Sequence, residues 1–309
     1  MSHVVLTLTK DKIKDLETYY KSSLKAAPAG AVFAAKTANS SITAYHSGKV
    51  LFQGKAAEVE AAKWGSPDTS NKKSSTSKKK PAHAFAPPSS LFTTSHIGSD
   101  EAGTGDYFGP ITVAAAYVQK EQIPLLKELG VQDSKNLTDE KISQIAKDLV
   151  QMKLPYSLVI LHNEKYNRVQ LNGWSQGKMK TMLHHTAITK LLQKIAPERP
   201  TGILIDQFSE PHSYQKHLRS ENEKLQENVY FMTKAESYSI AVAAGSIIAR
   251  ASFVKEMDKL SEQLGMTLPK GASQKVDQVA ARLLKKYSKQ ELGNYAKMHF
   301  ANTQKAMKY

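Results

Sequence analysis

The chain has no cysteine among its 309 residues. That absence excludes disulfides, thiolate metal sites and a thiol nucleophile together, and it suits a reducing compartment. Long apolar runs are missing too. The longest, Ile111–Val118, is interrupted by Thr112 and falls far short of the roughly 20 residues that span a bilayer. The amino-terminal run Val4–Leu8 gives way at once to lysines and aspartates, which is too short for a signal-peptide core. A cytoplasmic protein with no membrane partner is the expectation. Nor is the chain short of apolar residues: 40% hydrophobic and 23% charged are the values of a folded globular protein.

Acids are scarce relative to bases: 28 Asp and Glu face 43 Lys and Arg, a net charge of +15. Residues 1–95 contain no arginine, but their 14 lysines against 6 acids supply more than half of that excess. A polyanion is the partner such a balance predicts, with solubilising surface lysine as the plain alternative. Nothing points to an obligate protein partner, so a monomer is expected.

Residues 66–90 hold 7 Ser, 5 Lys and 4 Pro without apolar periodicity. They read as a flexible basic tether, because such a composition buries too little surface to offset chain entropy. The division is thus a small domain over 1–65, the tether over 66–90 and a larger domain over 91–309. The small domain reads as strand Val4–Leu8, helix Lys10–Leu24, strands Ala31–Lys36, Ser41–His46 and Val50–Gln53 with a turn at Ser47–Lys49, and helix Glu58–Trp64, following the two periodicities of strand and helix. An antiparallel sheet of this kind keeps one face open. Lys36, Lys49 and Lys55 lie on or beside its strands, as does Tyr45, which either packs against a ligand on that face or belongs to the core.

Beyond the tether, strands and helices alternate as in an α/β domain. His96–Glu101 and Pro110–Val118 read as a hairpin pair, and Tyr156–His162, Gly202–Asp206 and Asn228–Thr233 as further strands. Helices are read over Glu121–Leu129, Thr138–Met152 (with a capping signal at Asn136/Thr138), Lys178–Ile195, Ser237–Met257 and Val276–Lys286.

Within this domain, acids stand where a core strand ends. Asp100 and Glu101 close the first strand and run into a glycine-rich turn, Gly103-Thr104-Gly105, while Asp206 closes the strand Ile203-Leu204-Ile205. Neighbours in a strand point to opposite faces, so the first two acids converge only where the strand ends and twists. Glu236 follows the next strand at the mouth of the alanine-rich helix. Each acid alone reads as an ordinary surface or helix-start carboxylate. Four together form an oxygen-only set suited to Mg²⁺ or Mn²⁺, and two such ions about 4 Å apart activate water and stabilise the leaving oxygen of a phosphodiester. Gly103 and Gly105 allow positive φ or close backbone approach to a ligand. Asp133-Ser134-Lys135 offers a hydroxyl and an ammonium to phosphate, or is a surface turn. His184 and His185 fall on a helix outside these motifs and read as structural or surface residues.

The segments GSDEAGTGDYFGP (98–110), DSK (133–135), LIDQ (204–207) and KAESYSIAVAAGSIIAR (234–250) resemble the type 2 ribonucleases H. The likeness covers about residues 95–309. A separate amino-terminal domain, Glu as the fourth acid and Thr104 between the glycines place it nearest the ribonuclease HIII branch. The resemblance implies a ribonuclease H-like mixed five-stranded sheet flanked by helices, preceded by a small α+β domain similar to one repeat of TATA-binding protein. It implies endonucleolytic cleavage of the RNA strand of RNA–DNA hybrids, leaving 3′-hydroxyl and 5′-phosphate ends. Asp100, Glu101, Asp206 and Glu236 would be metal ligands for Mg²⁺ or Mn²⁺, two ions acting in catalysis. Gly103, Thr104 and Gly105, with Ser134, Lys135, Tyr45 and Lys49, would contact the hybrid. Rival readings are nicking beside a single ribonucleotide in duplex DNA and a non-catalytic nucleic-acid-binding protein. A 3′→5′ exonuclease finds less support, since no Asp-x-Glu motif occurs at 98–103.

Overall fold

The structure is a computed structural model that describes residues 3–27, 31–46, 48–65, 84–132 and 134–309. The chain divides into two compact units, Met1–Ala82 and His83–Tyr309.

In the first unit β1 (His3–Thr7) precedes α1 (Lys10–Tyr19), and β2 (Leu24–Lys25), β3 (Ala31–Lys36), β4 (Ser40–Tyr45), β5 (Lys49–Gly54) and α2 (Ala57–Ala62) follow. The five strands pair antiparallel in the order β1-β5-β4-β3-β2. Alternation puts Leu6, Phe33, Ala35, Ile42, Ala44, Val50 and Phe52 on one face, where Ile13, Leu16 and Tyr20 from the first helical segment and Ala57 and Ala61 of α2 cover them. The helix read through Leu24 stops at Tyr19, because Leu24 and Lys25 pair with Ala35 and Ala34 as an edge strand. Tyr45 alternates with the buried Ala44 and lies on the face opposite the core cluster, as do Lys49 and Gln53. Of the turn at Ser47–Lys49, Ser47 lies outside the described residues; Gly48 adopts φ +86°, and its amide donates to Tyr45 O (3.0 Å).

Of the segment read as a tether, residues 66–83 lie outside the described residues. Its last residues belong to the second unit. Phe85 packs edge-on against Phe231 at 6.1 Å between ring centroids, and its carbonyl accepts from Phe231 N. One large aromatic side chain suffices to join a core that serine and lysine cannot join.

The second unit contains β6 (His96–Ala102), β7 (Ile111–Val118), α3 (Ile123–Glu128), α4 (Asp139–Gln151), β8 (Tyr156–Leu161), α5 (Asn163–Leu171), α6 (Gln176–Ile195), β9 (Ile203–Asp206), α7 (Pro211–Arg219), β10 (Val229–Met232), α8 (Ile240–Leu264), α9 (Gln274–Leu284), α10 (Lys289–Leu292) and α11 (Ala301–Ala306). Its sheet is mixed, in the order β10-β9-β6-β7-β8. β6 and β10 run parallel to β9, whereas β6–β7 and β7–β8 are antiparallel. α6 and α7 cover one face, and α3, α4 and α8 the other.

α8 lies almost backbone-to-backbone on β6. A Cβ on Gly98 would stand 2.0 Å from Val242 N, and one on Gly245 would stand 3.2 Å from Gly98 O. The small side chains Ala241, Ala243, Ala244 and Ala249 permit that approach, which explains the alanine-rich composition of the helix. Beyond the sheet, α9, α10 and α11 pack with Tyr107, Phe108 and the second half of α8 into a separate apolar cluster.

Candidate active site

β6 brings Asp100 and Glu101 to the carboxyl end of the central strands, beside Asp206 at the end of β9. The strand does not end between the first two acids, as convergence on one ion required. It continues to Ala102 in register with β7, Asp100 opposite Ala114 and Glu101 opposite Val113, so the two carboxylates leave opposite faces. Asp100 faces α8. Its Oδ1 accepts from Glu101 N at 2.7 Å, and burial, reinforced by the negative charges of Glu101 and Asp206, pushes its pKa well above the usual carboxylate range.

Glu101 faces α6. Its Oε1 accepts from Lys180 Nζ (2.8 Å), and its Oε2 lies 2.9 Å from His184 Nε2. Burial alone would raise its pKa, but His184 and Lys180 outweigh it and hold the carboxyl below the ordinary value. Asp206 accepts from Ala235 N at 2.8 Å. Burial and the nearby Glu236 and Glu101 nevertheless push it up to about 6.

Glu236 is delivered by an unusual turn. Lys234 adopts φ +58°, a left-handed conformation rare outside glycine, and a 3-10 turn Ala235–Ser237 follows. The helix expected from Ser237 starts only at Ile240, capped by Ser239, whose Oγ accepts from Val242 N at 3.2 Å. Glu236 therefore sits in the turn and not in the first turn of the helix. Its Oε1 accepts from Lys135 Nζ at 2.5 Å, and its buried Oε2 has no hydrogen-bond partner.

Among the described residues, no three His, Asp or Glu side chains stand close enough together to hold an ion as they are. Asp100 and Glu101 leave opposite faces of β6, and Glu101 and Glu236 are each paired with a lysine. The donor set itself fits a hard divalent cation. It is all oxygen, its members repel one another, and Glu236 Oε2 is a buried acceptor lacking a donor.

The loop residues separate into two kinds. Gly103 is required by the fold: its φ is +85°, and a Cβ would meet Pro110 O at 2.3 Å and the Phe253 ring. Gly105 has neither a positive φ nor any atom within 4 Å of an added Cβ. Thr104 O accepts from Gln176 Nε2 at 2.9 Å. Asp133 and the side chain of Asn136 lie outside the described residues; Thr138 caps α4, its Oγ1 accepting from Lys141 N. Ser134 departs from the expected phosphate contact. Its buried hydroxyl is 2.9 Å from Ser246 Oγ, and its carbonyl accepts from Arg250 Nη1, so it ties the loop to α8. Lys135 pairs with Glu236 and has a side chain that is 70% exposed.

Residues 97–303 match the family model described as Ribonuclease HII, and residues 3–77 match a domain of unknown function (DUF3378). The chain is 58% identical over 308 residues to ribonuclease HIII of Oceanobacillus iheyensis, covering 100% of this chain and 99% of that one. This chain belongs to the type 2 ribonucleases H, in the ribonuclease HIII branch. Ribonuclease HIII of Bacillus cereus is 53% identical over 310 residues, covering 99% and 98% of the two chains. The crystal structure of Bst-RNase HIII in complex with Mn²⁺ is 45% identical, covers 99% of this chain and 98% of that one, and superposes with a TM-score of 0.71. Aquifex aeolicus RNase H3, at 21% identity and TM-score 0.54 over 95% of this chain and 98% of that one, shares the fold.

In this ribonuclease HIII, two residues outside the motifs contact the carboxylate of Glu101. His184, expected to be structural or on the surface, is fully buried and bridges Glu101 to Ser99 Oγ, which lies 2.7 Å from its Nδ1. Lys180 stands one turn earlier on α6. Their i, i+4 spacing was the available signal, since it sets both on one helix face.

Proposed function

We propose that this ribonuclease H cuts the RNA strand of RNA–DNA hybrids endonucleolytically in a divalent-metal-dependent reaction that leaves 3′-hydroxyl and 5′-phosphate ends. Asp100, Glu101, Asp206 and Glu236 would hold Mg²⁺ or Mn²⁺, two ions in the working enzyme. The observation that carries this reading is the buried, mutually repelling carboxylate group with an unpartnered oxygen on Glu236. Bound there, divalent cations supply Lewis acidity toward the attacking water and the leaving oxygen. The chain's own groups do the rest. Lys135 and Lys180, each on a carboxylate in this structure, supply cationic donors for phosphate oxygens. Gly103, Thr104 and Gly105 lay the backbone against the sugar, where a 2′-hydroxyl distinguishes RNA from DNA. The open sheet face of the first unit, with Lys49 and Tyr45, grips the hybrid.

The direct test offers one uniform hybrid and one DNA duplex carrying a single ribonucleotide, each with Mg²⁺ and with Mn²⁺. Cuts throughout the RNA strand of the hybrid are expected. Loss of cleavage on the hybrid with both ions overturns the reading, and cutting confined to the single ribonucleotide replaces it by the nicking alternative.

Two further outcomes follow from the site. Gly105→Ala has room in the fold, so its stability should stay within about 0.5 kcal/mol of the parent. The hybrid KM should nevertheless rise several-fold, because the methyl group occupies the space left for the sugar–phosphate backbone; thermal melting and steady-state kinetics read the two separately. Metal binding should also be proton-linked. Asp206, raised to about 6, must lose its proton to ligate, so Mn²⁺ affinity falls as pH drops through 6, by about tenfold at pH 5 from this group alone. In the metal-free protein the same shift has the opposite sign for stability: the folded state takes up a proton that the unfolded state releases, and that contribution is lost as pH rises through about 6. Calorimetric Mn²⁺ titrations at pH 5 and pH 8 measure the first effect.

A further inference from the structure

The loop after the glycine turn is held by the carboxyl-terminal segment far more firmly than a surface turn needs. Lys297 is completely buried, and among the described residues the hydrogen-bond partners of its ammonium are backbone carbonyls rather than carboxylates. Its Nζ donates to Asp106 O (2.7 Å) and Gly109 O (2.6 Å), and its ammonium lies 5.8 Å from the centre of the Tyr166 ring. The backbones are laced together around it. Lys297 N donates to Tyr107 O, Tyr107 N to Gly271 O and Gly109 N to Tyr295 O, at 2.8 to 2.9 Å. Asp106 Oδ1 accepts from Gly271 N at 2.6 Å. From the other side Gln176 holds Thr104 O, and Asn163 Nδ2 donates to Gly109 O at 2.9 Å.

An ammonium is among the most expensive groups to bury, and burial here pushes its pKa down to about 7 against the pull of Asp106. An apolar side chain would fill the same space without that cost. What it could not do is draw two carbonyls, three residues apart in one loop, onto a single point. Residues 103–105 and 106–109 form one continuous turn, Asp106 N reaching back to Gly103 O, so fixing the second half fixes the stretch that presents Thr104 and Gly105.

We infer that Lys297 is a positioning residue for the substrate loop: it clamps Asp106 and Gly109 from the carboxyl-terminal segment so that Thr104 and Gly105 meet the hybrid backbone in a preformed conformation. This rests on the reading that residues 103–105 contact the hybrid. A preformed loop spares the ordering cost of binding, so its loss weakens hybrid binding and leaves the metal site alone.

The test is Lys297→Met in the full chain, read by steady-state kinetics on a hybrid, Mn²⁺ calorimetry and thermal melting. Expected are a KM raised about tenfold, kcat within about threefold and Mn²⁺ affinity within about twofold of the parent. Leu283→Ala opens a void in the same apolar cluster without touching a loop carbonyl; it should lower the melting temperature and leave KM in place. Asp106→Ala removes the bond from Gly271 N and the negative charge that acts on Lys297, and serves if Lys297→Met does not fold; its KM should rise about threefold. The inference is overturned if Lys297→Met, or Asp106→Ala in its place, keeps KM within about twofold, or if Leu283→Ala raises KM as much. Gly105→Ala separates the two readings. If it raises KM while the clamp variants do not, the loop grips the hybrid but Lys297 does not position it; if none of them does, the loop contact itself is wrong.

Discussion

Asp100→Asn is expected to reduce cleavage by about 10³-fold or more while raising the melting temperature of the metal-free protein. Both effects have one cause. Asp100 is buried beside the charges of Glu101 and Asp206, and its ionised form is penalised by desolvation and by both neighbours. Asparagine keeps the Oδ1 that accepts from Glu101 N and removes the charge, so the fold loses a repulsion and keeps its hydrogen bond. The same neutral oxygen is a far poorer ligand for a divalent cation than a carboxylate. Single-turnover cleavage and thermal melting in a chelator measure the two sides. A variant that is inactive and also less stable would mean that Asp100 serves the fold rather than the metal, and substantial turnover would remove it from the site.

Removing the first unit should cost hybrid affinity and leave chemistry intact. The cut belongs at Ala84, because a start at Ala86 would delete Phe85, which packs on Phe231. With the open face carrying Lys36, Lys49 and Tyr45 gone, the apparent Kd should rise by about 10²-fold, the order of gain that tethering a second binding module provides. The salt dependence should flatten as well. Each neutralised phosphate contributes about 0.9 to the log–log slope on duplex DNA, so the loss of two or three lysine contacts lowers it by roughly 2 to 3. Cleavage at saturating hybrid should remain. Equal affinity of the shortened and full-length chains across a salt titration would show that the basic face serves a different partner.

How much of this was visible in the sequence depended on how many residues each element commits to the core. α6 and α8 present many buried side chains and were found, although α8 starts three residues later than read and runs on to Leu264, where Gly265 at φ +64° stops it. α5 leaves little trace in the sequence because only Asn163 and Tyr166 of it are buried. α7, with Pro211, Tyr214 and Leu218 inside, has too short a stripe to stand out. The acids were legible because a carboxylate ending a run such as Ile203-Leu204-Ile205 is costly without a partner. Their partners were not. His184 and Lys180 come from 83 and 79 residues away from Glu101, and Lys297 from 191 residues away from Asp106; no local pattern encodes contacts that only the sheet and the chain's return assemble.

The backbone contact between α8 and β6 has a consequence for how the molecule opens. With Gly98 pressed on Val242 and Gly245 on Gly98, neither element can part from the other by a side-chain rotation or a local hinge. Solvent reaches the amides of Ser99 and Asp100 only when the sheet and its longest helix separate as a unit. In hydrogen exchange those amides therefore belong to the slowest class, governed by global unfolding, whereas the amides of α10, at the rim of the carboxyl-terminal cluster, exchange through cheaper partial openings. The strand that presents the acids should thus be among the last parts of the second unit to yield to water.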